Sequence, residues 1–253
     1  MILDKFKLDG KVAVVTGVRS GLGQSMALAL AEAGADIAGV GRNDMSETEN
    51  LINKTGRKFI GIKTDLSDIK SVDLILKQVL IFYGKINILV NNAGLIKRND
   101  AVNFNEKDWD DVMNTNLKSV FFLSQAIARQ YIKQDTGGKI INIASMLSFQ
   151  GGIRVPSYTA SKSGIIGITR LMANEWAKFN INTNAIAPGY MATDITKELR
   201  DDKNRHDAIL DRIPAARWGE PDDLKGTVVF LASDSSNYVN GYTIAVDGGW
   251  LAR

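Results

Sequence analysis

Cysteine is absent from the 253-residue chain, and histidine occurs only once, as His206. Without thiols there can be no disulfide, thiolate metal site or cysteine nucleophile, and one imidazole cannot build a histidine-clustered zinc site. His206 lies in the charged stretch 200–212, where we interpret it as an exposed helix residue. No metal site is expected, and acid–base chemistry must fall to Tyr, Lys, Asp or Glu.

Long apolar runs and an excess of one charge are also missing. No uninterrupted apolar stretch approaches membrane-spanning length, and residues 1–10 mix charges with apolar residues instead of forming a signal-peptide core. The net charge is only +3, with basic residues spread along the chain, which gives no electrostatic footprint for nucleic acid. We therefore expect a soluble, cytoplasmic protein that binds neither membranes nor nucleic acids.

What the chain does contain is a regular alternation of apolar runs and longer amphipathic stretches. Strands are predicted at 11–16, 36–40, 58–63, 87–91, 139–144, 181–187 and 243–246. Helices are predicted at 22–33, 67–83 (with Ser67 as N-cap), 106–133, 156–178 and 222–232. This order predicts an α/β fold, a Rossmann-type doubly wound parallel sheet with helices on both faces.

No linker or repeat divides the sequence, so residues 1–253 are predicted to form a single domain. Its cofactor half would cover about 1–145 and its catalytic part about 145–253. The segment of about 190–218 is rich in charge and is interpreted as a mobile insertion over the site.

A glycine-rich stretch, Thr16 to Gly23, follows the first predicted strand and opens a helix. Gly17 permits a tight turn, Gly21 lets the backbone approach a pyrophosphate, and Gly23 allows close helix packing. The helix N-terminus then offers free N–H groups to phosphates. In this setting the pattern predicts nucleotide binding.

The end of the second strand bears on the choice of coenzyme. An acidic residue there would bind the adenosine ribose hydroxyls, whereas an arginine accommodates a 2′-phosphate. Gly41 stands where the acid is expected, Arg42 follows it, and Arg19 in the glycine loop adds a second positive charge. These residues favour NADP(H), although two merely solvated arginines explain the pattern equally well.

Tyr158 and Lys162 are four residues apart and share one face of a predicted helix. A nearby ammonium and an oxidised nicotinamide would lower the pKa of the phenol, which is otherwise about 10. Ser145 follows the fifth strand, where a hydroxyl can polarise a substrate oxygen, and Asn116 interrupts a helical pattern, which a bent helix holding a water would explain. Each feature alone also fits an ordinary surface or turn residue.

Together these motifs resemble the short-chain dehydrogenases over nearly the whole chain. The stretch Thr16–Gly23, Asn91-Asn92-Ala93-Gly94, Asn116, Ser145, Tyr158-x-x-x-Lys162 and Pro188-Gly189 occur in that family's order and spacing. The resemblance implies a catalytic tetrad: Tyr158 as acid/base, Ser145 positioning the carbonyl, Lys162 holding the nicotinamide ribose and lowering the tyrosine pKa, and Asn116 keeping a water in the proton relay.

The resemblance also implies the coenzyme contacts. Asp65 and Leu66 resemble the family's adenine contact. Residues 92–94 resemble the stretch that supports the central sheet and lines the cofactor, and the loop after the sixth strand resembles the one that binds the carboxamide. The full set of predicted cofactor-binding residues is Gly17, Arg19, Ser20, Gly21, Leu22, Gly23, Arg42, Asp65, Leu66, Asn92, Ala93, Gly94, Tyr158, Lys162, Pro188, Gly189, Met191 and Thr193.

Four longer stretches are more specific than the general family pattern: residues 145–158, 171–178, 187–193 and 247–253. They resemble family members that act on deoxy sugar acids in the breakdown of uronate-containing polysaccharides. This closer resemblance implies a small sugar-acid substrate, NAD(H) and a homotetramer. The chain departs from that pattern at 40–44 and at Arg19, which leaves the choice between NAD and NADP open.

A sugar acid needs a partner for its carboxylate, ideally an arginine that binds it through two hydrogen bonds. Arg98 follows the Asn-Asn-Ala-Gly stretch, and Arg154 lies between Ser145 and Tyr158. We hypothesise that both bind substrate, while ordinary surface arginines remain an equal alternative for each.

Two other functions remain open at this point. One keeps the chemistry but changes the substrate to another gluconate or polyol, or to a 3-oxoacyl carrier-protein thioester, although no basic cluster for an acidic carrier protein is evident. The other is a dinucleotide-sensing regulator without turnover, which would commonly lack part of the tetrad.

Overall fold

Seven strands form one parallel sheet in the computed structural model, which describes residues 1–253. The strands are β1 (Val12–Thr16), β2 (Asp36–Gly41), β3 (Phe59–Lys63), β4 (Ile88–Asn91), β5 (Gly138–Ile143), β6 (Ile181–Pro188) and β7 (Thr243–Val246). Their order across the sheet is β3-β2-β1-β4-β5-β6-β7. The predicted α/β fold is confirmed, and the strand order reverses direction between β1 and β4.

Nine α-helices surround the sheet: α1 (Gly21–Glu32), α2 (Ser46–Asn53), α3 (Ser71–Tyr83), α4 (Glu106–Met113), α5 (Ser119–Gln134), α6 (Pro156–Trp176), α7 (Lys197–Asp201), α8 (Lys203–Leu210) and α9 (Lys225–Ala232). None of these helices is long and apolar enough to cross a bilayer.

The sheet separates two apolar cores, and β1 contributes to both. Ala13 and Val15 face the core that α1 and α9 cover, whereas Val12 and Val14 face the core that α3 and α5 cover. All four side chains are buried. A strand buried on both faces must be apolar at every position, which explains why β1 reads as a continuous run rather than an alternating one.

Several boundaries differ from the predictions. The helix predicted to start at Ser67 begins at Ser71, and the prediction of Ser67 as its N-cap is wrong. The reason is local: Asp65 Oδ1 accepts hydrogen bonds from the backbone N–H and the hydroxyl of Ser67, both at 2.9 Å, which folds this segment as a turn.

Two features of the helices do not follow from the periodicity of the sequence: the presence of α2 and the break between α4 and α5. Helix α2 was not predicted, because it is polar and buries only Thr48 and Ile52. The single helix predicted at 106–133 is interrupted by a π-helical turn, Asn114–Lys118, between α4 and α5. The charged segment 190–218 contains α7 and α8, and its mobility stays a prediction, as does the division of the chain near residue 145.

Candidate active site

A cleft of about 310 Å³ opens at the carboxyl edge of the sheet. Parallel α/β sheets bind ligands at this edge, at the point where the strand order reverses. The predicted cofactor residues that line it are Gly17, Arg19, Ser20, Gly21, Leu22, Gly23, Arg42, Asp65, Leu66, Asn92, Ala93, Gly94, Tyr158, Lys162 and Thr193. The structure therefore brings most of the predicted set together around one cavity.

The glycine loop can adopt its path only because side chains are missing. Gly17 has φ +73°, and a Cβ there would lie 2.9 Å from the Cα of Ala93. A Cβ on Gly23 would overlap the carbonyl oxygen of Gly17. Because α1 begins at Gly21, its first N–H groups lie beside the cleft, as a phosphate site requires.

Asn92 and Thr16 fasten this loop to β4. Asn92 Nδ2 donates to the carbonyl oxygens of Thr16 at 2.9 Å and of Gly17 at 3.1 Å. The Thr16 hydroxyl oxygen accepts from the backbone N–H of Asn92 at 3.0 Å and of Ala93 at 2.9 Å. These bonds fix the loop in place before any ligand binds.

The far end of the cleft carries two guanidinium groups, on Arg19 and Arg42. Arg42 Nη1 lies 3.7 Å from Asp65 Oδ2, and both side chains are about half exposed. Hydrogen bonds from Ser67, and then the charge of Arg42, hold the pKa of Asp65 below its usual range despite partial burial. A weak, solvated pair of this kind leaves most of the Arg42 donors free.

Lys162 is the charged group at the inner end of the cleft. Its side chain is 5% exposed, and its ammonium donates to the Ile143 carbonyl oxygen at 2.6 Å. Nζ lies 5.6 Å from the centre of the Tyr158 ring. Burial lowers the pKa of Lys162 to about 8, since no carboxylate stabilises its charged form.

Opposing effects act on the pKa of the Tyr158 phenol. Burial raises its pKa, while the Ser145 hydroxyl and the positive charge of Arg98 lower it. Arg98 is therefore a cation that acts on the phenol in addition to the one expected at Lys162. This role of Arg98 was not anticipated from the sequence.

Ser145 is the N-cap of a short 3-10 turn, Met146–Ser148, that follows β5, and it is joined to α6 through Ser148. The Ser148 hydroxyl donates to the Lys162 carbonyl oxygen at 2.6 Å and accepts from the backbone N–H of Ser145 at 3.2 Å. One side chain thus links the backbones of two predicted catalytic residues.

Asn116 lies in the π-helical turn, with 1% of its surface exposed. Its side chain pairs with the backbone of Leu95: Nδ2 donates to the carbonyl oxygen and Oδ1 accepts from the N–H, both at 2.9 Å. Nδ2 also donates to the Ser161 hydroxyl at 3.3 Å. Of the two alternatives, the irregular helix is the one found, and the surface asparagine is wrong. The Asn116 side chain connects the loop after β4 to α6.

The two arginines proposed for the carboxylate occupy adjoining loops. Arg98 Nη2 donates to the Ile195 carbonyl oxygen at 3.0 Å and so reaches the segment after β6. Arg154, at φ +64°, places Nε 3.1 Å from Asp100 Oδ1. Its carbonyl oxygen accepts from the backbone N–H of Asn99 at 3.0 Å, which joins the two loops.

Some predicted residues lie elsewhere. Pro188, Gly189 and Met191 do not line the cleft; Gly189 and Met191 border a smaller cavity of about 160 Å³. His206 lies in α8, as predicted, but it is less exposed than expected. Its ring stacks on Trp218 with the centroids 5.8 Å apart, which leaves the side chain 33% exposed.

Sequence reasoning also missed residues that line the cleft, among them Thr64, Leu95, Thr115, Ile143 and Ile195. A positional signal existed for the first two, since Thr64 follows β3 directly and Leu95 follows the Asn-Asn-Ala-Gly stretch. The others have no motif and reach the cleft only through the tertiary fold.

Comparisons with known proteins agree with this geometry. A family model described as "Enoyl-(Acyl carrier protein) reductase", from the short-chain dehydrogenases, matches residues 17–251. Two curated relatives called 2-dehydro-3-deoxy-D-gluconate 5-dehydrogenase, from Escherichia coli and Dickeya dadantii, are 65% and 64% identical over the full length of both chains.

A crystal structure from Agrobacterium tumefaciens, of a proposed 2-deoxy-D-gluconate 3-dehydrogenase with bound NADP, is 49% identical with a TM-score of 0.93. The match covers 99% of this chain and 100% of that one. Sequence, family model and fold thus agree over almost the entire length. The chain belongs to the short-chain dehydrogenase/reductase family.

Proposed function

We propose that this protein is an NAD(P)-dependent oxidoreductase that moves a hydride between nicotinamide and C5 of 2-dehydro-3-deoxy-D-gluconate. The observation that carries the proposal is the placement of Tyr158 and Lys162 at the inner end of the cleft, whose outer end is the glycine loop. The high identity to two relatives of that name supports the substrate.

The cleft fits a dinucleotide on its own chemistry. The glycine positions where a Cβ would collide leave room for backbone N–H groups to approach a pyrophosphate. Lys162 is a buried ammonium with a single acceptor, so it retains donors for ribose hydroxyls. The nicotinamide coenzyme, when bound, supplies or accepts the hydride.

The chain's own residues handle the proton. Tyr158 releases it to the substrate oxygen during reduction and takes it back during oxidation, while the Ser145 hydroxyl holds that oxygen in place. The positive charge of Arg98 favours the phenolate. The Lys162 ammonium, 5.6 Å from the centre of the Tyr158 ring, acts in the same direction. Asn116, fixed by its bonds to Leu95, would hold the water of the proton relay.

Arg19 and Arg42 lead us to propose that the protein accepts NADP(H), while the closer resemblance implies NAD(H). A guanidinium binds a 2′-phosphate through charge-assisted hydrogen bonds, and Arg42 is only loosely paired with Asp65. The relative that binds NADP supports this view. Parallel assays with both coenzymes decide between them.

Arg98 and Arg154 are our candidates for the substrate carboxylate. The effect of Arg98 on the pKa of Tyr158 supports its nearness to the reacting carbon. Arg154 engages Asp100 through Nε, which leaves the two Nη groups for a carboxylate. Arg154→Ala is expected to raise KM for the sugar acid with little effect on coenzyme affinity; an unchanged KM contradicts its assignment.

A homotetramer and a cytoplasmic location also belong to this proposal, and both follow from the resemblance. The absence of cysteine is compatible with a reducing compartment. Light scattering of the purified protein tests the assembly directly, with a mass of four chains as the expected result.

The experiment that tests the function is a steady-state assay of 2-dehydro-3-deoxy-D-gluconate oxidation with NAD and NADP in parallel. Turnover should disappear in Tyr158→Phe and persist in the matched control Tyr242→Phe, whose ring is 63% exposed. Turnover of an acetoacetyl thioester instead would favour the acyl-carrier alternative. Coenzyme binding without turnover of any carbonyl would favour a regulator.

A further inference from the structure

A second and larger cavity, of about 760 Å³, lies at the opposite edge of the sheet from the proposed active site. Its lining comes from the amino ends of the central strands: Lys11 precedes β1, Asn87 precedes β4, and Lys139 and Asn182 are the second residues of β5 and β6. The segment between α9 and β7 closes its far side. No residue proposed for the reaction contributes to it.

Lys139 is the unusual residue of this cavity. It is 8% exposed, and its ammonium donates to Asn182 Oδ1 at 2.8 Å, Asn237 Oδ1 at 2.7 Å and the Ser236 hydroxyl at 3.4 Å. All three acceptors are neutral. Lysines are almost never buried unless their charge is paired. The hydrogen bonding of Lys139 is satisfied, whereas its charge has no ion pair and is stabilised only at a distance by Asp234.

The chain has one other buried lysine, Lys162. It too lacks an ion pair, and there the coenzyme site explains why a buried ammonium is kept. Lys139 is likewise a buried ammonium beside a cavity. By analogy with Lys162, a ligand that binds in this cavity would explain why the charge is buried.

The charges around the cavity agree with this explanation. Three of its lining residues are lysines, and Asp234 is its only carboxylate. Lys7 is paired with Asp4 at 2.6 Å, whereas Lys11 has no carboxylate within ion-pair distance. The cavity therefore carries a net positive charge that its own residues do not neutralise.

The uncharged lining adds hydrogen-bonding groups. Asparagine is the commonest residue in the lining, at positions 87, 180, 182, 237 and 240. Asn87 accepts from the Val12 N–H through Oδ1, which leaves its amino group free to donate. The amides of Asn182 and Asn240 are engaged within the protein, so the amino groups left to donate are those of Asn87, Asn180 and Asn237. Such amide donors beside ammonium groups suit a ligand that has hydroxyls as well as an anionic group.

We propose that this cavity binds a small hydroxylated anion, a carboxylate or phosphate on a polyol skeleton, with Lys139 and Lys11 facing the charge and the asparagine amides facing the hydroxyls. The volume accommodates a ligand of the size of a six-carbon sugar acid. The site is separate from the cleft that holds the coenzyme, so the two can be occupied together.

Calorimetric titration of the NADP-loaded protein with D-gluconate and with D-glucose 6-phosphate tests the proposal, with D-glucitol as the uncharged probe. Saturable binding of one or both anions and none of D-glucitol is expected. Lys139→Met should weaken the binding at least tenfold and Lys11→Ala severalfold, whereas the surface control Lys54→Ala should leave it unchanged. Lys11→Ala keeps the test valid if Lys139→Met does not fold.

Arg98→Ala is the control for binding of the anions in the proposed active site. Binding that survives Arg98→Ala but is lost in the lysine variants supports the second site, irrespective of whether the protein turns over a sugar acid. Binding lost in Arg98→Ala and kept in both lysine variants places the anion in the active site and overturns the proposal. Absence of saturable binding by either anion overturns it as well.

Discussion

Lys162 and Lys139 are buried at opposite edges of one sheet, and burial lowers the pKa of each to about 8. They differ in their hydrogen bonds. The Lys162 ammonium has one acceptor, the Ile143 carbonyl oxygen, whereas the Lys139 ammonium has three. Lys162 can therefore donate directly to a ligand, while Lys139 acts on one mainly through its charge. Two lysines of similar burial thus differ in their free donors: the Lys162 ammonium has donors left for a ligand, whereas all three of the Lys139 ammonium are used within the protein.

The largest expected effect separates the two lysines by activity. Lys162→Met should reduce kcat by about 10²–10⁴-fold, because the phenolate of Tyr158 loses its neighbouring cation and the ribose loses a donor. Lys139→Met should keep kcat within a few-fold of the unsubstituted protein. Steady-state assays on both variants measure this, and equal losses would show that the two edges are not functionally distinct.

The second-largest expected effect is on coenzyme preference, and it tests Arg42 at the outer end of the cleft. Arg42→Ala should lower kcat/KM with NADP about 10–100-fold, the range expected when one or two charge-assisted hydrogen bonds to a phosphate are lost. The value with NAD should change little. Lys11→Ala is the matched change at the other edge, and a shift in coenzyme preference there would contradict the separation of the two cavities.

Ser148 allows a smaller test of the carboxyl edge. Ser148→Ala removes both hydrogen bonds that join Ser145 to Lys162, each worth about 1 kcal/mol. We expect kcat to fall about tenfold while coenzyme affinity stays constant, with Ser163→Ala, an exposed position of α6, as control. A change in coenzyme affinity without a change in kcat would show that Ser148 serves only the fold.

The smallest effect is the pH dependence of stability. Both lysines have a folded pKa of about 8 and an ordinary value of 10.5, so above pH 8 the unfolded chain binds more protons than the folded one. The free energy of unfolding should therefore rise from about pH 8 toward pH 10. Above that, buried Tyr131, whose pKa is raised, opposes the trend.

Denaturant titrations between pH 7 and 10 measure this slope, which should become shallower in Lys139→Met. An unchanged slope in that variant would mean that Lys139 keeps its ordinary pKa in the folded protein.

The carboxyl edge was more accessible to sequence reasoning than the amino edge. Its residues follow strands directly and belong to motifs with fixed spacing, as Gly17, Ser145 and Lys162 do. The interruption at Asn116 was one of two alternatives, because asparagine is a mediocre helix former but also fits a helix surface. The layered α/β fold followed from strands that are apolar at every position.

Other features depend on contacts between distant segments. Lys139 reads as an ordinary first residue of a strand, and only the fold brings Asn182 and Asn237 to its ammonium. The link through Ser148 carries no motif either. Helix α2 escaped prediction because its polar face dominates, and Ser67 was misread because Asp65 offered a competing local hydrogen bond.

The position of β1 in the sheet has a consequence for synthesis of the chain. β1 pairs with β2 on one side and with β4 on the other, and β4 ends at Asn91. Until the ribosome has released that segment, the nascent β1 has one bare edge, which is open to wrong pairing with another chain. Asn92, which fastens the glycine loop, arrives at the same moment. The glycine loop is therefore completed in the step that protects the exposed edge, and a nascent chain shorter than this should not retain a dinucleotide.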